Sequence, residues 1–517
     1  MDGKGGKVLD SLKLRWEVEK ALQELRQAEK PEELVTALDQ LREFPSRAVI
    51  DAVVRNLGTD DPSWRARLGM LARILPRGEI VESLKAAAMD RSRDEQSRST
   101  ALMILERYLE VPIDPSLLSG FGSPESVARQ SVWEALRQTE EDPLVWLDYV
   151  QQLMEQPIDV VLLMERVLAS EDDPRVTIPL RILALEEDAM VAQEAVRLLG
   201  GMATEEAATA LYTLVPNLQF PLREVASREY RKLSLRGVTP KLVSPESEGW
   251  RALVSPPDSI GKQFLWFIQQ SEETSVAKVF LGLLVNEGQG IVEAVGRFDQ
   301  KLEEGFPARA EAGAVHLVYL QPGGGYVPLL EAPYEYAIHL LRSALDANFS
   351  SGTSLPPVYR LLSDRIWNWR VPEYTARLPR IGEEEVTSLR SRTPELLDHI
   401  GFINWFLMDE RLYLLAWERR EEELPEKLPG TLRKSLRQWL DDFLTEEMLK
   451  GFRTRLEAMA EWLANAGELY LAKLAAVASM DEQTDSFSRL PFFYALAERS
   501  FRAVHARFHE VPDESEG

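Results

Sequence analysis

The chain has 517 residues, 45% of them hydrophobic and 28% charged, and sets 60 Lys and Arg against 84 Asp and Glu for a net charge of −24. That balance is ordinary for globular protein. No apolar run approaches the roughly 20 residues that span a bilayer, and the absence of cysteine excludes disulfides and thiolate metal sites. We therefore expect a cytoplasmic protein of about three domains, with no membrane association and with nucleic acid disfavoured as its main partner. The charge is uneven. Residues 1–110 hold 19 basic and 20 acidic side chains, whereas 111–220 hold 6 basic and 19 acidic, a net of −13.

An amphipathic helix is expected over 7–28, with Leu12, Trp16, Leu22 and Leu25 among its apolar positions. Pro31 opens a second helix carrying Leu34, Leu38 and Leu41, and the pair reads as the divergent cap of a repeat array. Regular units begin at Ser46, alternating an A helix (46–58, 77–90, near 113–120, 143–155, 174–186, 204–215) with a B helix. Six B helices carry an apolar triplet at i, i+4, i+8: Trp64/Leu68/Ala72, Ser97/Ala101/Leu105, Val127/Ser131/Ala135, Val160/Met164/Leu168, Val191/Ala195/Leu199 and Leu222/Ala226/Tyr230. Their first members are 33, 30, 33, 31 and 31 residues apart, a period expected of helical hairpins that bury their apolar faces against one another. Small middle members (Ala101, Ser131, Ala195, Ala226) allow close helix approach.

On these residues, roughly 30–236, the chain resembles the HEAT-repeat family in its compact bacterial form of about thirty residues per unit. The most similar stretch runs from Asp188 to Gly237, and Pro179 stands where HEAT A helices often carry proline. Arg65, Arg98 and Arg223 follow a triplet's first member and match the family's B-helix arginine, while Ala128, Val161 and Ala192 replace it elsewhere. The resemblance implies a curved surface that binds proteins, and sometimes nucleic acid, with a structural arginine ladder that is interrupted here. Residues 237–517 resemble only regions that follow HEAT-like repeats in bacterial proteins of unassigned activity.

Acidic residues mark the turns between each B helix and the next A helix: Glu140, Glu141 and Asp142, then Glu171, Asp172 and Asp173, then Glu205 and Glu206. Acids favour helix N-termini on structural grounds alone. Equivalent turns of stacked hairpins share an edge, so these eight are also the candidate partner-binding residues, an acidic rim for a basic protein partner whose association weakens with salt.

Prolines 240, 245, 256 and 257 punctuate a linker over 237–262. The pattern then turns to strands at 263–268, 276–285, 291–298 and 315–320, with 250–254 as a further candidate and helices at 333–347 and 356–367, predicting an antiparallel sheet with helices on one face. Asn286 to Gly290 reads as a hairpin turn whose glycines take positive φ. The glycines at 288, 290 and 296 lack dinucleotide spacing, and Gly323 to Gly325 is followed by no Lys-Ser or Lys-Thr, so neither run is a phosphate loop. Glu293 and Asp299 are expected on one side of a strand, and two isolated acids make no catalytic set.

Helices return at 383–392, 394–418, 431–444, 446–465, 467–480 and 489–508, with Trp405, Phe406, Trp417, Trp439, Phe443, Phe452, Trp462, Phe492, Phe493 and Phe501 expected in their core. His505 and His509 are spaced i, i+4, but Ala506 stands where zinc enzymes of that spacing carry Glu, so a surface pair is expected rather than a metal site. The expected fold is mainly α: a HEAT-like α-solenoid over 1–236, the linker 237–262 with its possible first strand, a small α+β domain with an antiparallel sheet over 263–379, and a C-terminal helical bundle over 380–517.

The expected function is a non-catalytic interaction scaffold or adaptor, with no catalytic, cofactor-binding or metal residue nominated. Two alternatives stand beside it. One is an enzyme with a site in or beside the 250–370 sheet domain. The other is a nucleic-acid protein of the HEAT-like DNA glycosylase type, using a basic face of Arg65, Arg67, Arg73, Arg77, Arg91 and Arg93.

Overall fold

The computed structural model describes residues 3–112, 124–270, 276–301, 311–319, 325–480 and 486–510, apart from 29, 60 and 141. The helix expected near 113–120, Glu141, Gly323, Gly324 and the tail beyond Glu510 lie outside the described residues. Within them the chain is mainly helical with one antiparallel six-stranded sheet, and it divides into two units, 1–130 and 131–517. Among these residues no helix is long and apolar enough to cross a membrane.

The first unit contains α1 (Gly3–Gln27), α2 (Pro31–Arg42), α3 (Ser46–Arg55), α4 (Pro62–Ile74), α5 (Arg77–Met89) and α6 (Glu95–Met103), which widens into a π turn at Ile104–Tyr108. The starts are local chemistry: Asp61 accepts from Trp64 N at 3.1 Å and Asp94 from Ser97 N at 2.7 Å. Leu22, Leu25, Leu41, Ile50, Val53, Leu68 and Leu71 join one buried cluster. The helix ends are closed by arginines. Arg67 donates to Leu25 O (3.1 Å) and Ala28 O (2.6 Å), Arg77 to Leu109 O (2.6 Å), Arg93 to Val54 O (2.9 Å) and Arg98 to Ala88 O (2.9 Å). These bonds satisfy carbonyls that have no partner within their helices. Three of the six arginines grouped as a basic face thus serve the fold.

Helix α7 (Pro124–Gln138) crosses the division. The second unit continues with α8 (Val145–Met154), α9 (Ile158–Ser170), α10 (Thr177–Leu183), α11 (Ala189–Met202), α12 (Glu205–Leu214) and α13 (Leu222–Leu235). Asp188 and Thr204 cap α11 and α12. Each helix touches its neighbour and the next but one, so α9, α11 and α13 form one row and α8, α10 and α12 another.

The triplets of α4, α6 and α11 are buried throughout, and in α13 Ala226 is buried with Leu222 and Tyr230 half-buried. Two triplets are buried only in part. Val127, Ser131 and Val160 are exposed, while Ala135, Met164 and Leu168 are buried together with Ala128, Val132 and Val161. In both helices an apolar residue stands after the first member and is buried in its place.

Helix α9 also buries Glu165, 0% exposed, with no hydrogen-bond partner for either carboxylate oxygen. Desolvation, and then the nearby Glu194 charge, push its pKa up to about 8, against a weaker downward pull from Arg166 and a smaller upward one from Asp188. Glu194 is itself paired with Arg166 and Arg197.

The sheet order is β4-β3-β2-β1-β6-β5, from β1 (Trp250–Val254), β2 (Lys262–Gln270), β3 (Val276–Asn286), β4 (Gly290–Lys301), β5 (Val315–Tyr319) and β6 (Tyr326–Glu331). All pairs are antiparallel. The strand at 326–331 was not foreseen, because Pro328 argues against a strand inside a sheet. Here β1 pairs only with Leu330 and Glu331, so Pro328 lies past its end and faces Leu317 of β5 alone. Gly290 has φ +81° at the hairpin, where a Cβ would collide with Ala344 O and the Asn348 amide. Helices α14 (Tyr334–Ser351) and α15 (Pro357–Leu362) pack on β4, with α14 reaching β1 and α15 reaching β3, and the short α16 (Asp364–Trp367) follows.

The remaining helices are α17 (Glu383–Arg390), α18 (Glu410–Trp417), α19 (Gly430–Phe443), α20 (Glu446–Asn465), α21 (Leu469–Ser479) and α22 (Pro491–Glu510). The single helix expected over 394–418 is instead two 3-10 turns and α18. Gly401 brings the chain so close to Met459 and Trp462 that a Cβ would clash there. Trp405, Trp462, Phe492, Phe493 and Phe501 are fully buried, as expected, while Trp417 is exposed. His505 is buried and donates Nε2–H to Arg419 O at 2.8 Å, which corrects the expectation of a surface histidine pair.

Two changes test this packing. Ala195→Leu should overpack the α9–α11–α13 row and lower the unfolding free energy by roughly 1–3 kcal/mol in urea titration. In the folded chain Glu165 keeps its proton up to about pH 8, whereas unfolded chain releases it near the ordinary value of 4.5, so stability is full below 4.5 and falls as pH rises through this window. The slope from this group is at most about 1.4 kcal/mol per pH unit. Glu165→Gln should remove that slope, and equal pH profiles for the two proteins would refute the assignment.

Candidate partner-binding edge and cleft

The site is positioned by a buried polar seam. Arg181 of α10 is 3% exposed, and desolvation lowers its pKa, offset in part by the Asp364 charge. Its Nε donates to Thr213 Oγ1 of α12 (3.2 Å) and its terminal nitrogens to Ser363 Oγ (2.7 Å) and Arg360 O. Alongside, Arg360 pairs with Glu186 at 2.6 Å, Trp367 Nε1 donates to Tyr359 Oη (2.9 Å), Tyr359 donates to Asn217 Oδ1 (2.6 Å), and Asn217 Nδ2 donates to Thr213 O (2.7 Å). Residues 181–217 and 359–367 are therefore locked by bonds made away from water, where an unmatched partner is expensive.

On that frame the predicted acidic turns come together. Arg175 binds Asp173 in a fork, with Nε to Oδ1 at 3.0 Å and a terminal nitrogen to Oδ2 at 2.6 Å, and its other terminal nitrogen reaches Glu140 Oε1 (3.1 Å) and Leu136 O (3.0 Å). The turn after α7 is thereby tied to the turn after α9, and the Arg175 bonds hold the Asp173 carboxyl below its ordinary range. Asp142 is exposed and accepts from Leu144 N at 2.9 Å. Glu171 is half-buried, while Asp172, Glu205 and Glu206 are exposed and have no ion-pair partner among the described residues.

Arg175, Glu205 and Glu206 line a cleft of about 470 Å³ between these turns and the sheet, which also takes in Thr209, Lys241, Glu248, Trp250, Asp364, Arg365 and Asn368. Two of its acceptors, Asp364 Oδ1 and Asn368 Oδ1, are buried without a hydrogen-bond partner. Of the eight predicted residues, two therefore line the cleft, Glu140 and Asp173 are joined beside it through Arg175, and Asp142, Glu171 and Asp172 lie in the same adjoining turns. Sequence reasoning missed Lys241, Glu248, Asp364 and Asn368. They come from the 237–262 segment, taken as a linker, and from one short helix, and no pattern linked either to the acidic turns. The main-chain bonds Val243 N to Asn368 O (3.1 Å) and Arg370 N to Val243 O (2.8 Å) bring the two together.

Other sequence candidates stay apart. Glu293 and Asp299 are both exposed on β4. In the sheet a buried fork joins Arg251 to Glu331 (2.8 Å for both bonds), with His316 Nε2 3.7 Å from the carboxylate. Arg251 neutralises that carboxylate, so the trio clamps β1, β5 and β6. Arg223, matched to the family's ladder arginine, donates Nε to Leu218 O at 2.6 Å and meets no carboxylate among the described residues.

Arg181→Met keeps the buried volume and leaves Thr213, Ser363 and the Arg360 carbonyl without their charged donor. Unfolding in urea should then need about 2–4 kcal/mol less, and a change under about 0.5 kcal/mol would show that the seam holds without this residue. Comparison of the chain with models of known families, with curated proteins and with solved structures finds no match.

Proposed function

We propose that the chain is a non-catalytic interaction scaffold. In this reading the helical pairs of residues 131–236 are HEAT-like, residues 380–517 form a bundle that braces the sheet, and the acidic turns with their cleft dock a basic segment of a protein partner. One observation carries it: Asp172, Glu205 and Glu206 are exposed carboxylates without an ion-pair partner among the described residues, and Glu205 and Glu206 line one cleft with Glu248. Glu140 and Asp173 are already satisfied by Arg175, so among the described acidic turns Asp142, Asp172, Glu205 and Glu206 are the exposed carboxylates left without an ion pair. Lone buried acceptors at Asp364 and Asn368 add demand for donors on the cleft wall, which Lys and Arg side chains supply.

The test is affinity capture from the native host with the parent chain and an Asp172→Lys, Glu205→Lys, Glu206→Lys triple variant, at low and at high salt. The parent should retain a basic protein at low salt and release it as salt rises. The variant should bind that protein at least about tenfold more weakly. Equal retention by both chains would overturn the edge as the docking surface.

A further inference from the structure

A second cleft of the 131–517 unit carries more cations than acids. It encloses about 600 Å³ between α12, α13, α14 and residues 366–371. Its floor is apolar and aromatic: Ile338, Leu345, Ile366, Trp367 and Trp369 are buried, and Tyr212 packs on Tyr230 with ring centroids 5.7 Å apart. Its rim carries three exposed arginines, Arg223, Arg231 and Arg342, against one acid, Asp346.

None of the three arginines has a carboxylate partner among the described residues, in a chain with 84 acids to choose from. Two of them are held by rings. The Arg342 guanidinium lies 5.8 Å from the Trp367 centroid and that of Arg223 lies 5.7 Å from Phe349. A guanidinium resting on a ring face is oriented while its edge N–H groups stay available for an anion. The Nε groups of Arg223 and Arg231 are fixed on Leu218 O and Ser227 O, which leaves their terminal nitrogens free.

We propose that this cleft binds a phosphate-bearing aromatic small molecule of mononucleotide type. The ring system lies on the Tyr and Trp floor and the phosphate meets the arginine rim. Three cations lining one cleft suit a dianion with three acceptor oxygens better than a single carboxylate, and the volume is that of small-molecule sites. Asp346 stands on the same rim as an acceptor for hydroxyl or amino groups of the ligand.

The full chain is titrated by calorimetry with AMP, GMP, UMP and flavin mononucleotide, and separately with inorganic phosphate, adenosine and a poly-glutamate peptide. At least one nucleotide should bind about tenfold or more tightly than phosphate, adenosine or the peptide. The Arg223→Ala, Arg342→Ala double variant should lose about tenfold or more of that affinity and keep its affinity for adenosine, which also shows that the cleft is still folded. Absence of nucleotide binding at about 1 mM, affinity no better than phosphate or the peptide, or an unaffected double variant would each overturn the proposal.

Discussion

A single buried arginine, Arg181, ties together two stretches of the chain that lie far apart in sequence. Arg181 has lost its water and is matched by a hydroxyl on α12, a hydroxyl at Ser363 and the Arg360 carbonyl, with Asp364 supplying the nearby negative charge. A desolvated guanidinium tolerates few alternative geometries. The helices of 177–217 and the segment 359–367 are therefore fixed in one relation. The Glu186–Arg360 ion pair and the Trp367–Tyr359–Asn217 chain repeat the same link beside it.

Both clefts are built on that fixed relation, and they share walls. Helix α12 and the residues around α16 contribute to each: Thr209, Asp364 and Asn368 to one, Tyr212, Trp367 and Trp369 to the other. The first is lined by four carboxylates and four cations, and the second by three arginines and one acid.

The alternation of helices was legible because a period near 31 residues is written in apolar spacing and in capping residues such as Asp94, Asp188 and Thr204. Which residue is buried at the start of two triplets was not. Val127 and Val160 fit the template, but Ala128 and Val161 are equally apolar, and only packing against neighbours decides which of the two turns inward. Strand β6 was hidden by Pro328, whose tolerance depends on β1 ending two residues short of it. Adjacency of the acidic turns followed from repetition, whereas the arginine that ties two of them, Arg175, carried no separate signal.

By itself the sequence determined the helical units, the strands around the 286–290 turn, the aromatic core of the C-terminal helices and the positions of the acidic turns, because each is set by spacing or by a neighbour a few residues away. Tertiary structure alone decided that Lys241 and Asp364 line a cleft with Glu205, and that Arg223 and Arg342 share another. Those pairs are more than a hundred residues apart in all but one case, and what joins them is a seam of buried hydrogen bonds whose donors and acceptors have no period to read.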